Sequence, residues 1–257
     1  MIHYQTEREK ERFWIGENEF LPESELKTES VFAQCNGYMG VRAAHPFSLI
    51  EEQRGMFLSG AFNKAYEGEV TELVNCPDVT WFGLEIDGEK IYPERSCLKS
   101  FERKLDIFSG ELVIHYVFDL GEKGEVLVEN RRFAPMAQTN LFAQSLRVQF
   151  LDGRNRQVKI KTGINGQMTN SGVSHFHTST ARVYDKEIME IRSELENGTV
   201  TEAVGCKVVC GVQEEKEFNL KRRSVYGTYV VTPEDKEVIF EKVTFADQGE
   251  DGITTEE

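Results

Sequence analysis

Apolar and polar side chains alternate along most of this chain, and a period of two predicts β-strands. The clearest stretch, "VTWFGLEIDGEKIY", predicts a strand over residues 79–86, a tight turn at Asp87-Gly88 and a return strand to Tyr92. An Asp-Gly pair supplies the positive φ angles that a type I′ hairpin turn requires. Helical periodicity is scarce, and only "TEREKERFW", residues 6–14, predicts a short helix.

The alternation continues toward the C-terminal end, with turn signals about every eight to twelve residues. The signals lie at Ser109-Gly110, Gly121–Gly124, Asp152-Gly153, Glu196–Gly198 and Pro233–Asp235. The first two divide residues 99–133 into a three-stranded meander. Roughly a dozen strands or more, with no space for crossover helices, must pair antiparallel. So many strands favour two packed sheets over one open sheet. We therefore predict an all-β fold, one large antiparallel two-sheet β-sandwich.

The last segment, "DQGEDGITTEE", breaks the alternation. Five of its eleven residues are acidic and two are glycine, a composition typical of a linker or a frayed end. The sequence therefore predicts a sandwich domain over residues 1–246 and an acidic linker over residues 247–257.

Charge and cysteine content narrow the possible partners. The chain has 44 acidic and 30 basic residues, a net charge of −14, so it repels nucleic acids and anionic membranes at long range. The N-terminal segment "MIHYQTEREK" is polar and unlike a signal peptide, and no apolar run is long enough to span a bilayer. Five cysteines without a CxxC pair indicate reduced thiols and a cytoplasmic location.

Metal and thiol chemistry find little support in the sequence. His175 and His177 have a spacing that some zinc sites use, but no third ligand lies nearby in sequence, and a polar strand edge is the favoured interpretation. Cys206 and Cys210 share one face of a strand but lie too far apart for a disulfide. We interpret them as core thiols. The sequence predicts no metal and no cofactor.

Paired carboxylates are the usual machinery for cleaving glycosidic bonds. The adjacent pairs Glu51-Glu52 and Glu214-Glu215 are the obvious candidates. Neighbouring residues on a strand point to opposite faces, so neither pair shares a site unless it lies in a loop. We interpret both pairs as solvated surface charges.

The stretch "ESVFAQCNGYMGVRAAHP" contains an Asn-Gly pair between two apolar runs. Glycines of this kind can hold a phosphate with backbone N–H groups, but a hairpin turn at Asn36-Gly37 is the stronger prediction. Aromatic, amide and guanidinium groups suit sugar rings, which stack on aromatic faces and accept hydrogen bonds. The residues of these types that we consider as substrate-binding candidates are Arg42, Phe62, Asn63 and Trp81, although a packing role is the favoured interpretation for them.

Several segments resemble, in their order and spacing, the N-terminal domain of glycoside hydrolase family 65. The segments are "ESVFAQCNGYMGVRAA", "GMFLSGAFN", "ELVNCPDVTWFGLEIDGE", "ERKLDIFSGEL", "NRRFAPMAQTNLFAQSLRV" and "FEKVTFADQGED". The likeness extends from Phe13 to about Gln248. Family members often have a glycine after the arginine and then two glutamates. Here residues 43–46 read Ala-Ala-His-Pro, which puts the substrate-side contacts of that loop in doubt.

The resemblance implies a galactose-mutarotase-like super-sandwich that precedes a helical barrel. In this family of maltose, trehalose and kojibiose phosphorylases and some hydrolases, the barrel holds the general-acid glutamate and the phosphate site. No catalytic residue transfers to any position of this chain. The resemblance therefore implies a non-catalytic scaffold that packs on a barrel in cis, contributes to a homodimer, and belongs to an enzyme that uses inorganic phosphate as co-substrate.

Two other functions remain open at the level of sequence. A stand-alone carbohydrate-binding module would use Trp81 or Trp14 against a sugar. A sugar epimerase or mutarotase would need a histidine and a glutamate in one cleft, and its candidate histidines are His115, His175 and His177.

Overall fold

A computed structural model describes residues 2–7, 12–49, 53–64, 66–94 and 97–249. One α-helix, α1 (Glu25–Val31), follows a 3-10 turn at Pro22–Ser24, and a second 3-10 turn lies at Gly121–Lys123. The strands of the described residues are β1 His3–Glu7, β2 Arg12–Glu17, β3 Gln34–Cys35, β4 Met39–Val41, β5 Met56–Leu58, β6 Phe62–Asn63, β7 Glu72–Leu73, β8 Phe82–Ile86, β9 Glu89–Lys90, β10 Cys97–Asp106, β11 Leu112–Asp119, β12 Glu125–Phe133, β13 Leu141–Phe150, β14 Val158–Asn165, β15 Ser179–Tyr184, β16 Ile188–Leu195, β17 Gly198–Cys210, β18 Val212–Lys221, β19 Ser224–Thr232 and β20 Glu237–Gly249.

Two large sheets form the sandwich, and this confirms the predicted all-β class. The ten-stranded sheet has the order β1-β2-β10-β11-β12-β13-β20-β17-β16-β15, and the five-stranded sheet has the order β18-β19-β14-β8-β9. The pairings within both sheets are antiparallel. Two small sheets, β3-β4-β5 and β6-β7, lie between the helix and β8 in sequence.

Two local predictions are confirmed. The hairpin β8–β9 turns at Asp87-Gly88, whose φ angles of 45° and 78° are both positive, as a type I′ turn requires. The predicted meander is β10–β11–β12, three consecutive neighbours in the ten-stranded sheet. The turn signals at Asp152-Gly153 and at Pro233–Asp235 carry the chain from one sheet to the other, because β13 and β20 belong to the large sheet and β14 and β19 to the small one.

The predicted helix over residues 6–14 is wrong. Residues 3–7 pair with residues 12–16 as an antiparallel hairpin, and β2 then pairs with β10. Residues 8–11 lie outside the described part. The charged segment has good local helix formers, but the sheet edge supplied by β10 satisfies its backbone groups and overrides that weak preference. The short helix α1, which the period-two analysis missed, lies further along at Glu25–Val31.

The interior contains two apolar clusters separated by a layer of buried polar side chains. On β20, Phe240 belongs to the first cluster and Ala246 to the second, while Lys242 and Thr244 lie between them. On β13, Gln144 occupies the same position between Leu146 and Phe142. We call this layer the polar belt; its buried members are Thr80, Asn130, Arg132, Gln144, Thr162, Lys242 and Thr244.

The C-terminal boundary of the sandwich differs slightly from the expectation. Strand β20 continues to Gly249, and its residues 246–249 pair with β17. Residues 250–257 lie outside the described residues, so the acidic linker stays a prediction. Among the described residues, no helix has the length and apolar character needed to cross a membrane.

Candidate functional site

Three adjoining cavities form one groove along the five-stranded sheet and the loop that follows β14. We name each by one of its lining residues. The Arg42 cavity has a volume of about 400 Å³, the Tyr226 cavity about 370 Å³ and the Tyr92 cavity about 410 Å³. Arg54 and Gln167 line both the Arg42 and the Tyr226 cavities, and Trp81 lines both the Tyr226 and the Tyr92 cavities.

The indole of Trp81 forms a fixed wall between the Tyr226 and Tyr92 cavities. Its Nε1–H donates to Ser48 Oγ at 2.8 Å, and its ring meets the Tyr226 ring edge-on at 5.8 Å. A Cβ on Gly83 would lie 3.0 Å from the indole, so this glycine lets the ring lie against β8. The polar belt holds the backbone, because Thr162 Oγ1 donates to the Trp81 carbonyl at 2.7 Å.

Lysines surround this aromatic wall. Lys161 Nζ lies 4.9 Å from the centre of the Tyr226 ring and 5.9 Å from that of Trp81. Partial burial lowers the pKa of Lys161, and the charges of Lys221 and Lys90 lower it further. These three lysines therefore concentrate positive charge in a chain whose net charge is −14.

Arg42 lies at the other end of the groove and has a clear structural role. Its Nη2 pairs with Glu29 Oε2 at 3.3 Å, and its Nε donates to the Gln53 carbonyl at 3.2 Å. Glu29 is fully buried at the end of α1, and burial raises the pKa of its carboxyl while Arg42 opposes that rise. Arg42 thus ties α1 to the segment before β5 and also lines a cavity.

The remaining two substrate-binding candidates, Phe62 and Asn63, do not line the groove. Asn63 is buried, and its Nδ2 donates to the His175 carbonyl at 2.5 Å. Phe62 is 46% exposed on the short strand β6. The structure therefore brings Arg42 and Trp81 to one groove and places Phe62 and Asn63 elsewhere.

Asn36 and Gly37 form the tip of the β3–β4 hairpin. Cys35 pairs with Gly40, and Asn36 N–H donates to the Met39 carbonyl, so Gly37 is the first of two loop residues. Its φ of +89° is the value that favours glycine at this position. The Asn36 side chain accepts from the Met39 amide at 2.9 Å and donates to the carbonyls of Pro135 and Thr139 at 3.0 Å. All of these hydrogen bonds are made with backbone groups of the protein, so Asn36 has a structural role in the turn.

The other candidate groups also occupy separate places. His175 and His177 lie in the segment before β15. His175 is buried, with its ring 3.5 Å from the Glu72 carboxylate, whereas His177 is exposed. His115 lies on β11, 2.5 Å from Glu129. In the part of the chain that the structure describes, no three His, Cys, Asp or Glu residues gather as metal ligands. His115 and His175 thus contact different glutamates and do not meet in one cleft.

The carboxylate pair Glu214-Glu215 agrees with the sequence interpretation, whereas the prediction of two core thiols holds for Cys206 and is wrong for Cys210. Glu214 and Glu215 are exposed on β18, and Glu51-Glu52 lies outside the described residues. Cys206 packs against both apolar clusters, and burial raises the pKa of its thiol to about 11. Cys210 is a free, partly exposed thiol, because a bulge between Val208 and Cys210 shifts the register. The shift places Cys210 opposite Ile239, off the face that Cys206 and Val208 share.

A buried charge network, which the sequence analysis did not anticipate, lies behind the groove. Arg103 on β10 is fully buried and contacts Glu25 at 2.8 Å and Glu17 at 3.1 Å. His45 Nε2 lies 2.9 Å from Glu25 Oε1, and its Nδ1 contacts the Tyr116 hydroxyl. Complete burial, together with the charge of Arg103, lowers the pKa of His45 to about 4. The Ala-Ala-His-Pro departure therefore inserts a core histidine and not a substrate contact.

The groove lacks an arrangement for paired-carboxylate catalysis among its described residues. Glu72 lines the Arg42 cavity, Asp78 the Tyr226 cavity and Glu85 the Tyr92 cavity. Asp78 is buried and accepts from the Thr80 amide at 2.9 Å, and Glu85 pairs with Lys159 at 3.4 Å. Each cavity therefore has one carboxylate, while the groove offers cations and aromatic rings. These groups suit the binding of a ligand better than paired-carboxylate catalysis.

The fold is a large antiparallel sandwich with a groove along its five-stranded sheet. Comparison with known proteins then gives its family: the sequence model for "Glycosyl hydrolase family 65, N-terminal domain" matches residues 15–256. The chain belongs to this family.

Curated relatives share the match. The chain is 33% identical to the kojibiose phosphorylase of Escherichia coli strain K12 over 202 residues, which are 78% of this chain and 26% of that protein. It is also 33% identical to the kojibiose phosphorylase of Halothermothrix orenii over 207 residues, 79% of this chain and 26% of the relative. The chain thus spans about a quarter of the length of these relatives.

A solved structure supports the fold independently. A protein from the human microbiome, provisionally assigned as a kojibiose phosphorylase, superposes with a TM-score of 0.83. The match covers 99% of this chain and 34% of that chain at 16% identity, a level that supports the fold alone.

Proposed function

We propose that this chain is the non-catalytic N-terminal sandwich of a disaccharide phosphorylase, the scaffold against which a catalytic helical barrel packs. The observation that carries the proposal is the match of the N-terminal family model to residues 15–256, shared with kojibiose phosphorylases that are about four times as long as the matched segment. In phosphorolysis, phosphate attacks the anomeric carbon while one carboxylic acid protonates the departing oxygen. A hydrolase needs a second carboxylate to activate water.

A patch on the ten-stranded sheet supports a packing role. On the face that points away from the five-stranded sheet, Phe133, Ala143, Val243 and Gly205 are consecutive cross-strand neighbours. Leu141, Phe245 and Ala203 form the next row. We call these seven residues the outer patch. Phe133, Val243 and Phe245 are 40%, 46% and 37% exposed, and contiguous exposed apolar groups of this kind mark interaction surfaces.

Phosphorylase activity should therefore require more than the 257 residues. The purified chain, incubated with kojibiose and phosphate, is expected to release no glucose 1-phosphate, with the E. coli kojibiose phosphorylase as positive control. Turnover by the chain itself would overturn the proposal.

A chimera tests the scaffold role directly. In it, this chain replaces the matching N-terminal quarter of the E. coli relative, and kojibiose phosphorolysis is expected to persist. Replacing Val243 and Phe245 by aspartate in the chimera should reduce its yield of soluble, active protein. Replacing the exposed Lys207, on the same sheet face, by aspartate is the matched control. Equal loss in both variants, or an inactive parent chimera, would count against packing through this patch.

The cytoplasmic location and the homodimer belong to the same proposal. The four cysteines whose side chains are described are free thiols, which supports a reducing compartment. Light scattering on the chimera distinguishes a dimer from a monomer.

A further inference from the structure

The Tyr226 and Tyr92 cavities carry an excess of positive charge. We call the two cavities together the lysine groove. Its lining includes the cations Arg54, Lys90, Lys159, Lys161 and Lys221 but only two carboxylates, Asp78 and Glu85. In a chain with a net charge of −14, a local cluster of positive charge is expected to attract an anionic ligand.

Both carboxylates are already engaged. Asp78 is 2% exposed and lies 3.6 Å from Arg54, and Glu85 lies 3.4 Å from Lys159. Glu85 also lies directly across from Lys90, its cross-strand neighbour on β9. Among the described residues, Lys161 and Lys221 show no ion pair with either carboxylate. Lys161 and Lys221 thus line the groove without an ion-pair partner among the described residues.

Electrostatic repulsion of Lys161 by Lys221 and Lys90 disfavours the charged form of Lys161, and a bound anion would reduce this repulsion. Burial, followed by the charges of Lys221 and Lys90, lowers the pKa of Lys161. The Lys161 ammonium lies over the Tyr226 ring at 4.9 Å. The cation–π interaction stabilises the ammonium but leaves its positive charge unneutralised. A phosphate among these amines would form charge-assisted hydrogen bonds, which are about twice as strong as neutral ones.

The aromatic side chains of the groove indicate a ligand that carries a ring as well as an anionic group. Trp81 is held by Ser48 and by the belt hydroxyl of Thr162, so its ring is a rigid wall shared by both cavities. Tyr92 and Tyr226 lie on opposite sides of it. A rigid aromatic wall suits the C–H face of a sugar ring. The cavity volumes of about 410 and 370 Å³ fall within the range of small-ligand sites, about 300–1,000 Å³.

We propose that the lysine groove binds a sugar phosphate, with the sugar ring against Trp81 and the phosphate held by Lys161 together with Lys90 or Lys221. The proposal concerns binding alone and does not depend on the phosphorolysis proposed above. An inactive chimera would leave it standing, and an active chimera would not establish it.

Isothermal titration calorimetry on the purified chain tests the proposal with three probes: glucose 1-phosphate, inorganic phosphate and glucose. Glucose 1-phosphate is expected to bind with a Kd of about 1 mM or tighter, phosphate more weakly and glucose weakest. Raising the salt from about 50 to 500 mM should weaken the binding, because exposed charges are screened. Absence of glucose 1-phosphate binding at about 10 mM would overturn the proposal.

Substitutions in the lysine groove test which residues bind the phosphate and which bind the sugar ring. Lys161→Met should weaken glucose 1-phosphate binding about tenfold or more, the loss expected for a hydrogen bond to a charged group. The exposed Lys90→Met should also weaken it, and this variant preserves the test if Lys161→Met does not fold. Trp81→Leu should remove the preference for sugar phosphate over phosphate. Lys207→Met, on the other sheet, is the matched control and should bind as the unaltered chain does.

Two results would contradict the assignment. Unchanged affinity in both Lys161→Met and Lys90→Met would remove the groove as the phosphate site. Tighter binding of a hexaglutamate peptide than of glucose 1-phosphate would assign the groove to an acidic protein segment instead.

Discussion

The outer faces of the two sheets differ in the side chains that they present. The ten-stranded sheet shows the outer patch, where Phe133, Val243 and Phe245 lie in adjoining rows. The five-stranded sheet shows the lysine groove, in which cations surround Trp81. The outer patch borders a cavity of about 310 Å³, which Phe133, Ala143 and Val243 line together with charged side chains. An exposed apolar surface gains from burial against protein, whereas a cationic groove suits a small anion. One sandwich can therefore serve as a scaffold on one face and bind a ligand on the other.

Both faces depend on the same interior, and removal of Arg103 should show this most strongly. Arg103→Ala leaves the buried carboxylates of Glu17 and Glu25 without their cation, and breaking a buried pair costs about 3–5 kcal/mol. Urea unfolding should show one transition at a much lower midpoint. The exposed Arg182→Ala is the control and should shift stability by no more than about 0.5 kcal/mol. Two separate transitions would mean that the faces belong to independent units.

The next largest effect concerns pH. Burial holds the folded-state pKa of His45 at about 4, below its ordinary value of 6.5. Between these two pH values the unfolded chain takes up a proton that the folded chain refuses, so stability falls as the pH drops from about 6.5 to 4. The loss attributable to His45 approaches about 3 kcal/mol.

Urea unfolding at several pH values checks this expectation. His45→Gln should have a flatter dependence of unfolding free energy on pH in that window, whatever its stability at pH 7. Parallel curves for the two proteins would show that His45 does not titrate differently on unfolding.

The sequence alone predicted the strands well and the buried polar groups poorly, for a physical reason. Alternation is local, so "VTWFGLEIDGEKIY" is sufficient to predict β8, its turn and β9. The network around Arg103 is not local: its partner Glu25 lies 78 residues away, and no period relates the two. The helix predicted over residues 6–14 failed for the same reason, because pairing with β10 decides its structure.

The candidate site shows the same division. Trp81 was selected as an aromatic residue suited to stack on a sugar ring, and it does line the groove. Arg42 was selected for its guanidinium, but its pairing with Glu29 could not be deduced from spacing. Lys159 and Lys161 were overlooked, although the alternation in "VKIKTGI" places both on the outer face of β14. That pattern was the available signal for a cationic surface.

Substitution of two glycines, one on the outer face of each large sheet, should change stability by an intermediate amount. A Cβ at Gly163, which lines the Tyr226 cavity, would lie 2.0 Å from the Val225 carbonyl oxygen, so β14 and β19 must separate. Gly163→Ala should cost about 1–3 kcal/mol and weaken ligand binding in the groove. Gly205→Ala, in the outer patch, meets no atom within 4 Å and should be neutral or slightly stabilising. Thermal unfolding of the two variants measures the difference, and equal shifts would contradict it.

The smallest effect comes from exchanging the character of the two faces while preserving strand shape. Val243→Thr removes an exposed apolar group from the outer patch, and Thr228→Val adds one beside the Tyr92 cavity. Each should change the unfolding free energy by no more than about 0.5 kcal/mol, as surface substitutions do. Retention on a hydrophobic-interaction column should nevertheless shorten for Val243→Thr and lengthen for Thr228→Val. If Val243→Thr leaves retention unchanged, the ten-stranded face does not dominate the apolar surface of the protein, and the division of roles between the two sheets fails.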